Sequence, residues 1–264
     1  MKINNYHFAS SLEEAYNMLN ENKQNTIVAG GAWLKLSSKE ISTAIDLGNL
    51  GLDQIVETKD TFEIGCMTTL RQIEKQEGLL GHYNGMLTKA ISGIMGVSIR
   101  NQATIGGNVI RKSSFSDVLT PLLAMNVELE FYKKGIMSLE DFLVSKDRSI
   151  DILVKLIIKK EKGQGYFHAM KKSSLDFAVV NVAVSRQNDK VKIAVGARPS
   201  LAKFAVEAMN LVNGAKEITE EVILEAALKA GEELKFGTNS KASEEYRRNI
   251  SMAYIKRGLR EVSK

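Results

Sequence analysis

Two short stretches constrain this chain more than anything else in it: Ala29-Gly30-Gly31-Ala32 and Ala103-Thr104-Ile105-Gly106-Gly107-Asn108. Each glycine pair follows an apolar or β-branched run. The pattern predicts two sharp turns at strand ends, because glycine adopts φ > 0 and lets another group approach the main chain closely. Successive N–H groups exposed in such turns form a nest for an anion. Two nests in one domain are suited to holding one diphosphate between them. The first stretch is not a P-loop, since no Gly-Lys-Ser/Thr follows it. Nor does it have the GxGxxG spacing of a dinucleotide turn. An ordinary strand-to-helix turn is the alternative reading for it.

At 264 residues the chain is long enough to bury a large core and to form two domains. A hydrophobic share of 44% and a charged share of 25% are those of a soluble globular protein. The net charge of +5 raises nucleic acid as a partner, but the basic residues are spread and no recognition motif accompanies them. An anionic cofactor or acidic partner suffices, and no nucleic acid is expected. Cys66 is the only cysteine, so the chain forms no internal disulfide and no iron–sulfur cluster or structural zinc site of its own. Cys66 reads as a small buried residue of an apolar strand. The first residues, Met1 to Tyr6, contain no signal-peptide core, and no run approaches the ~18 apolar residues of a membrane span. A cytoplasmic location is the default expectation. His7, His82 and His168 lie far apart, no HExxH is present, and no nucleophile–base constellation can be identified.

Ser11 and Glu14 predict a capping box, followed by Leu12, Ala15, Tyr16 and Leu19 at helical spacing. Thr26-Ile27-Val28 predicts a short buried strand that delivers the chain to the first glycine turn. Thr69 and Gln72 form a second capping box. Residues 83–96 predict a helix leading to the second glycine loop. Residues 119–125 are helix-compatible, with Pro121 near the start. Val127, Leu129 and Phe131 alternate with polar neighbours as a half-exposed strand, and 152–158 reads as another. The charged break Lys159-Lys160-Glu161-Lys162-Gly163 marks the expected domain boundary, with one domain over 1–160 and another over 164–264. Strands near 166–170, 178–185 and 191–195 predict a three-stranded sheet. Helices at 202–212, 220–234 and 244–262 are expected to pack on one face of it, a small α+β domain.

Taken in order, these motifs resemble the FAD-binding subunit of molybdenum hydroxylases, the family that includes the flavin domains of xanthine dehydrogenase and carbon monoxide dehydrogenase. The family's first loop reads Ala-Gly-Gly-Thr-Asp-Leu; here it is Ala29-Gly30-Gly31-Ala32-Trp33-Leu34. The second reads Arg-Asn-x-Ala-Thr-Ile-Gly-Gly-Asn, matched from Arg100 to Asn108, and a Ser-Asp pair follows as Ser116-Asp117. Residues 11–15, 44–47, 63–70, 176–180 and 246–248 extend the resemblance over nearly the whole chain. It implies an α+β fold: a two-part FAD-binding domain of the vanillyl-alcohol oxidase (PCMH) type and a small C-terminal domain. It implies FAD as cofactor and two partner polypeptides, one with [2Fe–2S] clusters and one with the molybdenum cofactor. Electrons then pass from the clusters through FAD to NAD or another acceptor, with a xanthine-type purine dehydrogenase as the preferred branch. A flavin-free scaffold that keeps the fold and a self-contained flavin oxidoreductase are the alternatives.

The same resemblance implies the cofactor contacts. They are Ile27, Val28, Ala29, Gly30, Gly31, Ala32, Trp33 and Leu34 from the first loop, and Thr104, Gly107, Asn108 and Arg111 from the second. Ile94, Leu153, His168 and Phe177 stand at further positions near the flavin nucleotide. Asp117 either accepts from a ribose hydroxyl, as a carboxylate can, or caps the helix that begins at Val118. Arg111 and Lys112 either neutralise phosphate or are solvated. His168 stands where relatives often have lysine, and either donates to the flavin or lies on a surface strand. Trp33 packs against a neighbour or touches the flavin. Ala32 lacks the hydroxyl of the family's threonine, a loss of about 0.5–1.5 kcal/mol.

Overall fold

The structure, a computed structural model, describes all 264 residues. In chain order it begins with β1 (Lys2–Phe8), α1 (Leu12–Glu21), β2 (Thr26–Val28), β3 (Glu40–Asp46), β4 (Ile55–Glu57) and β5 (Thr61–Gly65). Six short helices follow: α2 (Leu70–Lys75), α3 (Glu77–Gly81), α4 (Met86–Ser92), α5 (Val97–Gln102), α6 (Ile105–Arg111) and α7 (Leu119–Ala124). Next come β6 (Glu128–Phe131), β7 (Gly135–Ser138), α8 (Leu139–Val144), β8 (Leu153–Lys159), β9 (Gly163–Met170), β10 (Val180–Gln187), β11 (Lys190–Gly196) and β12 (Lys203–Phe204). The chain ends with α9 (Val206–Gly214), α10 (Glu220–Glu233) and α11 (Glu244–Val262). No helix is long and apolar enough to cross a membrane.

These elements form two compact units. The first comprises Met1–Ile73, Gly96–Arg111 and Glu128–Lys159; the second comprises Glu74–Met95, Lys112–Val127 and Lys160–Lys264.

In the first unit, β1, β3 and β2 make a parallel sheet in that order. The helix α1 supplies the crossover that parallel strands require. Its cap differs in detail from the predicted box. The Ser11 Oγ accepts from the Glu14 N–H at 3.1 Å, but the Glu14 carboxylate accepts from the N–H and Oγ of Ser10, each at 2.6 Å. Val28 and Phe8 both pair with Asp46, so all three strands end at one level. The first glycine turn leaves from that carboxyl edge, where open parallel sheets place their ligands.

The other sheet of this unit is antiparallel, in the order β4-β5-β8-β6-β7. Phe62, Ile64, Leu129, Phe131, Leu156 and Ile158 point inward, as strand alternation requires. Between them Lys155 points outward to Glu63 at 2.7 Å and Glu130 at 3.3 Å. The predicted box at the start of α2 forms fully: Gln72 Oε1 accepts from the Thr69 N–H at 2.8 Å, and Thr69 Oγ1 accepts from the Gln72 N–H at 3.2 Å.

The second unit holds an antiparallel sheet in the order β12-β11-β10-β9, one strand more than expected. The pattern predicts helix over 202–212, yet Phe204 pairs with Ala194 and the Ala205 N–H donates to the Ile193 carbonyl. The edge of β11 thus captures the first residues, and the helix begins only at Val206. Val180, Val182, Val184, Val191, Ile193 and Val195 are fully buried against α9, α10 and α11. Each such burial contributes about 1.5–3 kcal/mol.

The three helices share one face as expected, and a fourth, α7, covers the other. Asn181 and Ser185 point the other way and meet α7: Thr120 Oγ1 donates to Asn181 Oδ1, and Ser185 Oγ donates to the Ala124 carbonyl, both at 2.7 Å. The unbroken run of buried residues from Val180 to Ser185 follows from cover on both sides. The single helix expected over 83–96 is broken as well. Tyr83 and Asn84 adopt φ of 48° and 55°, so α4 is confined to Met86–Ser92.

Candidate functional site

The site in the first unit is built from the end of β2 and the start of α6. After Val28 the chain turns through Gly31, whose φ of +64° suits glycine and strains any other residue. The N–H groups of Gly30, Gly31 and Ala32 donate to no protein acceptor. Gly30 packs so closely on the carbonyl of Gln102, the last residue of α5, that a β-carbon there would overlap it. The Lys35 Nζ adds a weak hydrogen bond to the Gln102 side chain at 3.4 Å.

The second glycine pair is not a turn at a strand end. Gly106 and Gly107 lie in the first turn of α6. Thr104 caps that helix: its Oγ1 accepts from the Gly107 N–H at 3.2 Å, and its carbonyl from the Asn108 N–H at 3.2 Å and the Asn108 side chain at 2.9 Å. These glycines serve close approach, not φ. A β-carbon on Gly106 would come 2.6 Å from the Cys66 carbonyl oxygen. One on Gly107 would meet only Thr104 Oγ1, at 3.1 Å, so no other part of the fold fills the space beside it.

Both stretches line one cavity of about 390 Å³, within the roughly 300–1,000 Å³ of small-molecule sites. Of the sequence-predicted residues, Ile27, Ala29, Gly30, Gly31, Ala32, Trp33, Leu34, Thr104, Gly107, Asn108, Arg111 and Leu153 line it. Val28 does not; it is buried in the small core with Ile41 and Ala44. Cys66, Met67, Gly106, Ile110, Asp151 and Ile152 also line it and are not among the expected contacts. Only Gly106, inside the motif, carried a signal in the sequence. Burial pushes the Cys66 thiol up to about 12, which keeps it protonated and unreactive. Asp151 is held by three backbone donors, the N–H groups of Lys133, Lys134 and Ile152, at 2.7–3.2 Å. The Arg111 guanidinium lies over the Trp33 ring, 4.8 Å from its centroid.

The remaining predicted residues belong to the second unit. Asp117 is 7% exposed. One carboxylate oxygen accepts from Asn181 Nδ2 at 2.7 Å, and the other pairs with Lys171 Nζ at 2.8 Å. Lys171 also donates to the Gly93 carbonyl at 2.6 Å, which brings the neighbourhood of Ile94 to Asp117. The helix cap considered for Asp117 falls to Ser116, whose Oγ accepts from the N–H groups of Val118 and Leu119 at 3.1 and 3.2 Å.

His168 pairs with Val182 across the strands and packs edge-on to Tyr254 of α11 at 4.5 Å. It therefore faces α9–α11, on the side of the sheet opposite Asn181 and Asp117. Burial, and then the charge of Arg257, holds its pKa below the usual histidine value. Phe177 lies 4.5 Å from Phe115, ring to ring, beside the Asp176–Lys241 ion pair.

A dinucleotide diphosphate fits the cavity's donor set. It brings two negative charges, and the wall offers three unpartnered N–H groups, a guanidinium and a glycine whose missing side chain leaves room. The apolar residues Ile27, Leu34, Ile110 and Leu153 suit the rest of such a ligand.

Residues 1–159 match the model of the FAD binding domain in molybdopterin dehydrogenase, and residues 165–262 that of the CO dehydrogenase flavoprotein C-terminal domain. The uncharacterized protein YgfM of Escherichia coli (strain K12) is 28% identical over 214 residues, 78% of this chain and 80% of that protein. The xanthine dehydrogenase FAD-binding subunit of Escherichia coli O157:H7 is 32% identical over 133 residues, 48% of this chain and 45% of that one. In fold, the chain is similar to carbon monoxide dehydrogenase from Hydrogenophaga pseudoflava, with a TM-score of 0.89 at 20% identity over 99% of this chain and 97% of the other. With the first domain model covering more than half of its length, the chain belongs to the FAD-binding family of the molybdopterin dehydrogenases, the molybdenum hydroxylases, and FAD is its cofactor.

Proposed function

We propose that this chain is the electron-transfer subunit of a molybdenum hydroxylase complex. It stands between a partner that carries [2Fe–2S] clusters and a terminal acceptor, NAD or another oxidant. Substrate is oxidised on a third polypeptide that holds the molybdenum cofactor. Among the branches of the family we favour a xanthine-type purine dehydrogenase, supported by the likeness to the xanthine dehydrogenase FAD-binding subunit.

One observation carries this reading: Gly30, Gly31 and Ala32, whose N–H groups have no protein acceptor, and Gly107, with open space beside it, line the same cavity. Bound FAD supplies the redox chemistry, and the protein supplies binding, orientation and electrostatics. The N–H groups of Gly30, Gly31 and Ala32 would donate to diphosphate oxygens, with the Thr104 hydroxyl and Arg111 as further donors. Asn108 fixes the start of α6 through the Thr104 carbonyl. Ile27, Leu34 and Leu153 form the apolar wall. Asp117 retains lone pairs beyond those used by Lys171 and Asn181, enough to accept from a sugar hydroxyl. Ile94 and Phe177 supply apolar contacts. Because Asp117 and His168 face opposite sides of one sheet, we assign the polar contact to Asp117 and leave His168 to the packing of α11. The single, buried Cys66 cannot ligate a cluster, so the metal centres belong to partners.

The test is to isolate the tagged chain from its own host and quantify molybdenum, iron and flavin in the eluate. Molybdenum and iron in fixed ratio to FAD, with flavin bleached by xanthine and reoxidised by NAD, is the expected result. Flavin with neither metal contradicts the subunit reading and favours a self-contained flavin oxidoreductase. Neither metal nor flavin favours a scaffold. Bleaching by another substrate but not by a purine overturns only the choice of branch.

A further inference from the structure

The one polar or ring contact of Arg111 is an uncharged ring. Its guanidinium stacks on Trp33 at 4.8 Å, and it has no carboxylate partner. The other charged side chain on the cavity wall, Asp151, is already satisfied by three backbone N–H groups. A guanidinium held face-on by an indole keeps all five N–H donors free, whereas a carboxylate would occupy two of them.

The placement matches the anion site. Trp33 directly follows the unpartnered N–H groups of Gly30, Gly31 and Ala32. Arg111 stands four residues after Gly107 in α6, so both share one helix face and both line the cavity. The stacked pair thus links the two glycine stretches at the wall of the cavity that both line.

We infer that Trp33 is a positioning residue that holds the Arg111 guanidinium over the glycine stretches for the cofactor's diphosphate. The pair supplies a fixed cation where Ala32 offers no hydroxyl. This rests on the FAD reading above. An indole fixes the guanidinium without competing for its hydrogen bonds, so the diphosphate displaces no counter-ion when it enters.

The experiment titrates FAD into flavin-stripped full-length chain at low and high salt, for wild type and for Arg111→Ala, Trp33→Ala, Trp33→Phe and the Arg111→Ala/Trp33→Ala double variant. Loss of one charge-assisted contact predicts about a tenfold weaker Kd for Arg111→Ala. Trp33→Ala is expected to weaken binding severalfold, Trp33→Phe to restore most of it, and the double variant to be no weaker than Arg111→Ala. Wild-type affinity falls with salt, and both alanine variants flatten that dependence, because the ordered charge is gone. A purely structural role for Trp33 would weaken FAD by the same factor at every salt concentration and would multiply with Arg111→Ala; either result overturns the inference. Wild-type chain that binds no FAD at any salt concentration overturns the FAD reading itself.

Discussion

Gly30 lies against the carbonyl of Gln102 with no room for a β-carbon between them. The contact docks the first glycine turn onto the end of α5, one residue before the Ala103-Thr104 step that caps α6. The two glycine stretches, far apart in the chain, are thereby fixed as one surface. Gly30 and Gly107 follow different logic: one makes way for the protein, the other leaves open space at the cavity wall.

Gly30→Ala is therefore expected to damage the fold. Overpacking against backbone has no flexible side chain to move and costs about 3 kcal/mol or more. Chemical denaturation should show a lower midpoint, with soluble yield reduced. A variant that unfolds like wild type would show that the turn is not docked on Gln102.

Gly107→Val is expected to spare the fold and lose the cofactor. The added carbons enter the cavity rather than the core, so stability should change by less than about 1 kcal/mol. FAD retained through purification should fall at least tenfold. Parallel thermal melting and released-flavin assays check this, and full retention of FAD would remove α6 from the diphosphate site.

The Asp117–Lys171 pair makes a third prediction. Both side chains are largely buried, at 6% and 13% exposure. Removing one partner strands the other charge, which costs about 3–5 kcal/mol. Asp117→Ala should be the more damaging, since it also orphans one bond of the Asn181 amide. Lys171→Met combined with Asp117→Ala should cost less than the sum of the two. Urea denaturation of the three variants measures this, and an unaltered midpoint for Asp117→Ala would sink it.

His168 sets a pH dependence of stability. Its folded pKa is held below the unfolded value of about 6.5, chiefly by burial. The unfolded chain then takes up the proton more readily, so the histidine's contribution is complete above the unfolded pKa and is lost as pH falls below it. His168→Gln should flatten the decline in unfolding midpoint between about pH 7.5 and pH 5.5. An unchanged slope would mean that His168 is solvated in the folded state.

Much of this was legible in the sequence because local chemistry dictated it. Thr69 and Gln72 cap α2 as their spacing says, and Thr26-Ile27-Val28 leads into a turn that needs the φ of Gly31. What escaped was set by distant partners. β1 is an exposed, polar strand that exists because β3 pairs with it. β12 is two residues captured from a helical pattern by the edge of β11. The second glycine pair looked like a turn, but Cys66 explains Gly106, and a residue so distant in sequence leaves no local mark. The site divides the same way. The glycine stretches were readable as parts of one site, and both line one cavity, whereas the buried state of Asp117 and the face taken by His168 depend on the pairing of β9 and β10.

We propose that FAD occupies the cavity lined by Gly30 and Gly107. The most direct measurement denatures the purified wild-type chain, identifies the released chromophore and counts it against protein. About one FAD per chain is the predicted result. A colourless chain that also takes up no added FAD would contradict the account, and the Ala32-Trp33 step of the first loop would be the first place to look for the reason.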